Sequence, residues 1–370
     1  MCIRDRNIIE VSNPERPQEI GNYNPGYYIH DSHVKGDYLY AAAFFNGTID
    51  IVDISDKANP FLVNQIEVPG GNVHSSWLTE DNQHLIISPE RDGLPARIWN
   101  IADLENLFEV STYSGNLQSL THNPYVRGDF SFFSHNTEGI RVVDIKDPSC
   151  PVEVGFYDTF PGRSGGFNGL WSACPYSASG KIIGGNREDG LYVWTFNNTA
   201  ANRINIRVND ATTDLAIETA TIQKPDGTRI SADRSGVFKY GTLASEITIR
   251  VEADGFQPMD TTLLLVAGTQ MTIELLLQPR SVSINDIPQL PAALIYPNPF
   301  SNKTTLDLSP FMDAQTLVLT DVLGRNLKTF PVKNQAAFQL QKEGLESGLY
   351  YYLIYNKQGK PLAKGTVVLE

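Results

Sequence analysis

The sequence predicts an all-β protein: an N-terminally truncated β-propeller followed by two small β-sandwich domains. Three observations carry this. First, a short pattern recurs through the first half: an aliphatic or aromatic residue, a polar residue, an aliphatic, and then, in most copies, a turn with proline. It appears as Ile9-Glu10-Val11 before Pro14, Val52-Asp53-Ile54 before Pro60, Trp99-Asn100-Ile101, Val143-Asp144-Ile145 before Pro148, and Val193-Trp194-Thr195-Phe196. From Val11 the steps to Ile54, Ile101, Ile145 and Phe196 are 43, 47, 44 and 51 residues. A period of about 40–50 residues built only from strand signals is the spacing of propeller blades. Second, 29 glycines and 22 prolines supply turns throughout. Third, 370 residues with 41% apolar and 10% aromatic content can fill several cores, and a chain of this length has room for two to three domains.

The chain opens on Met1 to Arg6, which lacks the apolar stretch of a secretory signal. Residues 1–6 read as a spurious leader, so neither the missing signal nor Cys2 carries weight. Blade sequence occupies residues 7–197. In the second complete period, strands are expected at His74–Thr79, His84–Ser88, Ala96–Ile101 and Phe108–Tyr113. The hairpins between them carry Asn46-Gly47, Glu90-Arg91-Asp92-Gly93, Thr137-Glu138-Gly139 and Glu188-Asp189-Gly190. Glycine provides the positive φ of a tight turn, and the acidic residues read as hairpin chemistry rather than catalysis. The count is two strands of one blade, three full blades and three strands of a last. Such a set leaves edges open, which is the reason to expect truncation. Cys150 and Cys174, both near turn prolines, could form a disulfide; the competing reading is two buried thiols.

These residues resemble a known family. Val142 to Gly155, with its Val-Val-Asp-Ile and Asp-Pro-x-x-Pro-Val, resembles the LVIVD repeat. The runs His122–Val126, Gly166–Trp171 and Ser179–Ile183 resemble choice-of-anchor B proteins, which are secreted propellers with interchangeable C-terminal anchors. The resemblance covers residues 7–197.

Three histidines fall at one repeat position: His30, His74 and His122, spaced 44 and 48 residues apart, with Asn168 in the same place 46 residues later. All begin the first strand of a blade, which lines a propeller's central channel. Imidazoles converging from successive blades can bind a divalent or transition metal, with Asp31 and His33 as supporting groups. The competing reading is that each histidine bonds the neighbouring blade's backbone and fixes blade geometry. His33, His84 and His135 receive no role of their own. Trp77, Trp99, Trp171 and Trp194 read as packing in blade cores.

Residues 203–279 carry about seven strand-like segments, among them Ile204–Val208, Glu246–Ala253 and Thr269–Leu277, with turns at Pro225-Asp226-Gly227 and Ala253-Asp254-Gly255. The alternation suggests a small sandwich, and its order resembles carboxypeptidase-regulatory-like or transthyretin-like modules. That resemblance implies a spacer. Residues 280–293 form a linker. Residues 294–370 open on Tyr296-Pro297-Asn298-Pro299-Phe300 and continue through strands punctuated by Gly324, Gly348 and Gly365. They resemble the type A sorting domain of the type IX secretion system of Bacteroidota. This implies passage through the type IX machinery, removal of the domain, attachment to surface lipopolysaccharide, and an extracellular or outer-membrane-surface location.

The net charge is −13, from 29 basic and 42 acidic residues. That balance excludes a nucleic-acid partner, which needs a basic face, and gives no polybasic membrane signal. No apolar run approaches 18 residues, so no transmembrane helix is expected. Neither His-Glu-x-x-His, a Walker loop nor Cys-x-x-Cys occurs. The sequence therefore points to a surface-displayed protein that binds an extracellular protein or glycan. A metalloenzyme built on the histidine ring and a scaffold that binds by its rim are the alternatives.

Overall fold

A computed structural model describes residues 5–280 and 290–370. Every regular element of the described residues is a strand. They fall into two compact units divided between Pro279 and Arg280. Of the expected leader, residues 1–4 lie outside the described residues, together with Cys2, while Arg6 already belongs to the first strand. Most of the expected linker, residues 281–289, also lies outside them.

The first unit begins with a two-stranded sheet, β1 (Arg6–Glu10) and β2 (Gln18–Tyr23). Three four-stranded antiparallel meanders follow. The first is β3 (Asp31–Lys35), β4 (Tyr38–Ala43), β5 (Thr48–Asp53) and β6 (Phe61–Glu67). The second is β7 (Val73–Leu78), β8 (His84–Pro89), β9 (Ala96–Asn100) and β10 (Phe108–Tyr113). The third is β11 (Asn123–Arg127), β12 (Phe130–Ser134), β13 (Ile140–Asp144) and β14 (Val152–Tyr157). A three-stranded sheet, β15 (Leu170–Cys174), β16 (Ile182–Asn186) and β17 (Gly190–Trp194), completes the series. The first strands β3, β7, β11 and β15 lie side by side. These are propeller blades with their inner strands on a common axis.

The repeat is turn chemistry. At each connection from the third to the fourth strand, a side-chain oxygen accepts the N–H two residues on. Asp53 does so for Ser55 (2.7 Å), Asn100 for Ala102 (3.2 Å) and Asp144 for Lys146 (3.0 Å). A second such turn follows at once: Asp56 to Ala58, Asp103 to Glu105 and Asp147 to Ser149. Tandem Asx turns reverse the chain without glycine. In the three complete blades the third and fourth strands also share a bulge, between Ile51 and Val52, opposite Ile98, and between Val142 and Val143, which adds twist.

Adjacent blades pack face to face. Ile86, Ile98, Val126, Phe133 and Val143, each at most 2% exposed, form one inter-blade core. Burying such a side chain stabilises by roughly 1.5–3 kcal/mol. Polar hooks add direction. Asn64 Nδ2 donates to the Leu104 carbonyl (2.6 Å) and Ser111 Oγ to the Pro148 carbonyl (2.6 Å). Tyr23 donates to Asp50 (2.8 Å) and Tyr113 to Glu153 (2.5 Å).

Seven further strands complete this unit: β18 (Asn202–Asp210), β19 (Thr221–Gln223), β20 (Arg229–Ile230), β21 (Phe238–Thr242), β22 (Glu246–Glu252), β23 (Met259–Leu264) and β24 (Gln270–Leu277). They form sheets ordered β21-β18-β24 and β20-β19-β22-β23 around a shared core that includes Ile204, Ile206, Ile222 and Ile249. Arg203 of β18 reaches the end of β13, where its guanidinium donates to buried Asp144 at 2.7 Å.

The second unit holds β25 (Ile295–Tyr296), β26 (Lys303–Asp307), β27 (Ala314–Thr320), β28 (Asn326–Pro331), β29 (Ala337–Gln341), β30 (Gly348–Asn356) and β31 (Pro361–Leu369). Sheets β25-β26-β29 and β28-β27-β30-β31 enclose one core around Phe300, Leu317, Tyr352 and Val367.

Candidate functional site: a histidine and carboxylate stack on the blade axis

In an antiparallel meander, the turn joining the second and third strands and the connection into the next blade lie at the same end. That end carries His30, His74 and His122. The main-chain N–H of His30 donates to Ala42 O and that of His122 to Ser134 O (both 2.8 Å), so each residue sits just ahead of β3 or β11. His74 lies on β7 at the bulge between Val73 and Ser75. The rings form a column. His30 and His74 centroids are 4.5 Å apart, and those of His74 and His122 are 4.1 Å apart and stacked.

Trp171, not Asn168, holds the fourth place. It occupies the bulge between Leu170 and Ser172 on β15, the register that His74 has on β7. Its ring lies 4.4 Å from that of His122. Asn168 is exposed in the preceding loop. The spacing misled because the loop before β15 has a different length, so counting residues slips against the bulge.

Glu90, the first residue after β8, enters this column. Its Oε2 is 3.3 Å from His74 Nδ1 and its Oε1 3.3 Å from His122 Nε2, with 11% of its side chain exposed. The sequence assigned Glu90 to hairpin chemistry with the other acidic turn residues. Those others do brace loops: Glu138 accepts from Asn116, Ser164 and Arg141, and Glu188 accepts from the Gly169 N–H. Glu90 instead faces two imidazoles.

The outer nitrogens have neighbours of their own. His122 Nδ1 is 2.7 Å from the Trp171 carbonyl. The Asn123 amide nitrogen is also 2.7 Å from that Nδ1, and His122 Nε2 faces Glu90. The Asn123 amide donates to the same carbonyl. Tyr28 Oη lies 2.7 Å from His30 Nδ1. Burial lowers the pKa of His122, with Glu90 opposing it, and burial and His74 lower that of His30. Burial alone would raise the Glu90 carboxyl, yet His122 and His74 hold it down at about 2. The column therefore sets an ionised carboxylate against imidazoles. His30, His74 and Glu90 each bring one donor atom within 4.8 Å of the others.

His33, expected as a supporting group, packs on Trp77 instead, at 4.1 Å. His84 meets Asn100 at 3.4 Å. His135 is fully buried. Trp99 and Trp194 pack in blade cores, whereas Trp171 is 41% exposed, with the Arg187 guanidinium 5.4 Å from its ring centre. Cys150 and Cys174 are free thiols. Cys174 is exposed, and burial pushes Cys150 up to about 11.

Known families match in three places. Residues 28–68 and 121–159 each match the LVIVD repeat. They span the first and third complete blades. Residues 294–368 match the secretion system C-terminal sorting domain. The chain carries LVIVD repeats and a type IX sorting domain. Its destination is the cell surface or the extracellular space, and the secretion machinery is a partner. No helix among the described residues is long and apolar enough to cross a membrane. No curated protein matches the chain. Among solved structures, it is similar to the computationally designed Ika4 protein, at 14% identity over 46% of this chain and 92% of that one, TM-score 0.36. It is also similar to the β-propeller domain of Cps50 (Swd1) from Myceliophteria thermophila, at 13% identity over 51% and 62%, TM-score 0.38. A third is the periplasmic gluconolactonase PpgL of Pseudomonas aeruginosa, at 14% identity over 68% and 74%, TM-score 0.40.

Within the sorting domain, Phe300 is 2% exposed, its N–H donates to Val368 O, and its carbonyl accepts from the Glu370 N–H. Asn298 bonds β31 twice, through Thr366 O and the Val368 N–H, and the Pro297 carbonyl accepts from Thr304 Oγ1. Tyr296 is 80% exposed. Gly324 turns with φ 79°. A Cβ at Gly365 would lie 2.4 Å from the Tyr352 hydroxyl, whereas nothing constrains Gly348.

Proposed function

We propose that this chain is a cell-surface-displayed binding protein of the choice-of-anchor B kind, exported by a member of the Bacteroidota. The observation that carries the reading is the pairing, in one chain, of LVIVD blades with a type IX sorting domain. The ligand meets the histidine face. Phe45 (74% exposed), Leu117 and Phe167 stand exposed on loops at that end, and Trp171 on β15, around the polar floor of His30, His74 and Glu90. Exposed apolar side chains rimming a polar floor mark a recognition surface rather than a folding core. The ligand is an extracellular protein or a glycan. The module of β18–β24 acts as a spacer, and surface lipopolysaccharide takes the chain once the sorting domain is removed.

Glycan and extracellular-protein arrays, probed with the full chain and with a Phe45→Ser/Trp171→Ser variant, test the binding reading. A ligand bound by the chain and lost by the folded variant is the expected result. Equal binding by both would move the recognition surface elsewhere. Binding to nothing on either array would overturn the reading.

A further inference from the structure

We propose that Glu90, His30 and His74 hold one divalent transition metal of the zinc class. The inference goes beyond ligand recognition and stands or falls apart from it. Three observations carry it.

The first is composition and placement. Two imidazoles and a carboxylate, delivered from the starts of two blades and one hairpin, bring donor atoms within 4.8 Å of one another. Nitrogen with carboxylate oxygen is a donor set that zinc, copper, iron and nickel accept, and two histidines with one glutamate make a three-ligand zinc site that leaves a fourth position open. His30 is half-buried and packs on Phe44, which meets exposed Phe45, so the site borders the exposed rim.

The second is distance. A tetrahedral ion with bonds of about 2.0–2.1 Å holds its ligand atoms about 3.3–3.4 Å apart. Glu90 Oε2 and His74 Nδ1 are 3.3 Å apart.

The third is a pair of buried nitrogens without partners. His74 Nδ1 and His122 Nε2 are buried, lack hydrogen-bond partners, and both face the Glu90 carboxylate. A buried polar atom without a partner calls for one. A divalent ion held by Glu90 Oε2 and His74 Nδ1 supplies it to His74. Tyr28 supports the assignment. Its hydroxyl engages His30 Nδ1 at 2.7 Å, which leaves Nε2 for the metal, the arrangement that orients metal-bound histidines. His122 flanks the other carboxylate oxygen, so its loss matters less than that of a ligand.

The test is a Co2+ titration of the chelator-stripped full chain, followed by the visible d–d bands of the bound ion, with Zn2+ as competitor. One equivalent of Co2+ with the bands of a four- or five-coordinate ion, displaced by one equivalent of Zn2+, is expected. Glu90→Gln and His30→Gln should each weaken binding by at least about 100-fold, and Tyr28→Phe by about 10-fold, with unchanged circular dichroism. A folded wild-type chain without the bands overturns the proposal. So does binding that Glu90→Gln and His30→Gln leave intact, which would assign the metal to other histidines.

Discussion

Asp144 has 1% of its side chain exposed and Arg203 4%, joined at 2.7 Å, and Asp144 also accepts the N–H groups of Ala201 and Lys146. Removing one member of a buried pair leaves an uncompensated charge and costs about 3–5 kcal/mol, whereas replacing both with apolar residues is often close to neutral. Urea unfolding should therefore show Arg203→Ala more destabilised than Asp144→Leu/Arg203→Met. His135 gives a pH prediction. Burial first, then Arg141, lowers it to about 4 against an ordinary 6.5, with Glu138 and Asp92 opposing. Between those values the unfolded chain takes a proton that the folded one refuses, so stability falls as pH drops from 6.5 toward 4. His135→Gln should flatten that slope in denaturation curves taken at pH 7, 6 and 5; an unchanged slope would remove His135 as its cause. At this scale the sequence was partly legible. The period located His30, His74 and His122, because a repeat position is visible in one dimension. It could not show Glu90 entering the column or Trp171 completing it, because both depend on bulges and hairpin geometry that spacing does not record.

Elements were the most legible level. Alternating apolar residues and turn signals placed the strands of the second complete blade within a residue or two of β7–β10, since one buried face and one blade-to-blade face fix the period at two. The repeated Asp is explained by the tandem Asx turns; the copy Trp99-Asn100-Ile101, outside the matched segments, carries Asn in its place and lacks the proline that follows the Val11, Ile54 and Ile145 copies. Two glycines show where an element tolerates no side chain. A Cβ at Gly139 would sit 2.0 Å from Tyr157 O, at φ 72°, so Gly139→Ala should disrupt the β13–β14 pairing. Gly365→Ala would press on Tyr352, whose hydroxyl bonds both the N–H and the carbonyl of Ala293. Overpacking of this kind costs about 1–3 kcal/mol. Differential scanning calorimetry of the full chain should show Gly365→Ala lowering one transition, with Gly348→Ala close to wild type.

At the scale of the molecule, the order of the parts explains the role. Blades place a histidine and carboxylate column on their axis, and the last residues form a domain that the secretion machinery reads. Phe300 and Asn298 tie the start of that domain to its final strand, so the sorting domain depends on residues at both of its ends. The most direct measurement is protease shaving of intact type IX-competent cells that express the chain behind an export signal, against the same chain ending at residue 293. The account predicts that the blades are cleaved from outside in the first case and stay protected in the second. Equal surface exposure of both would contradict export through this domain.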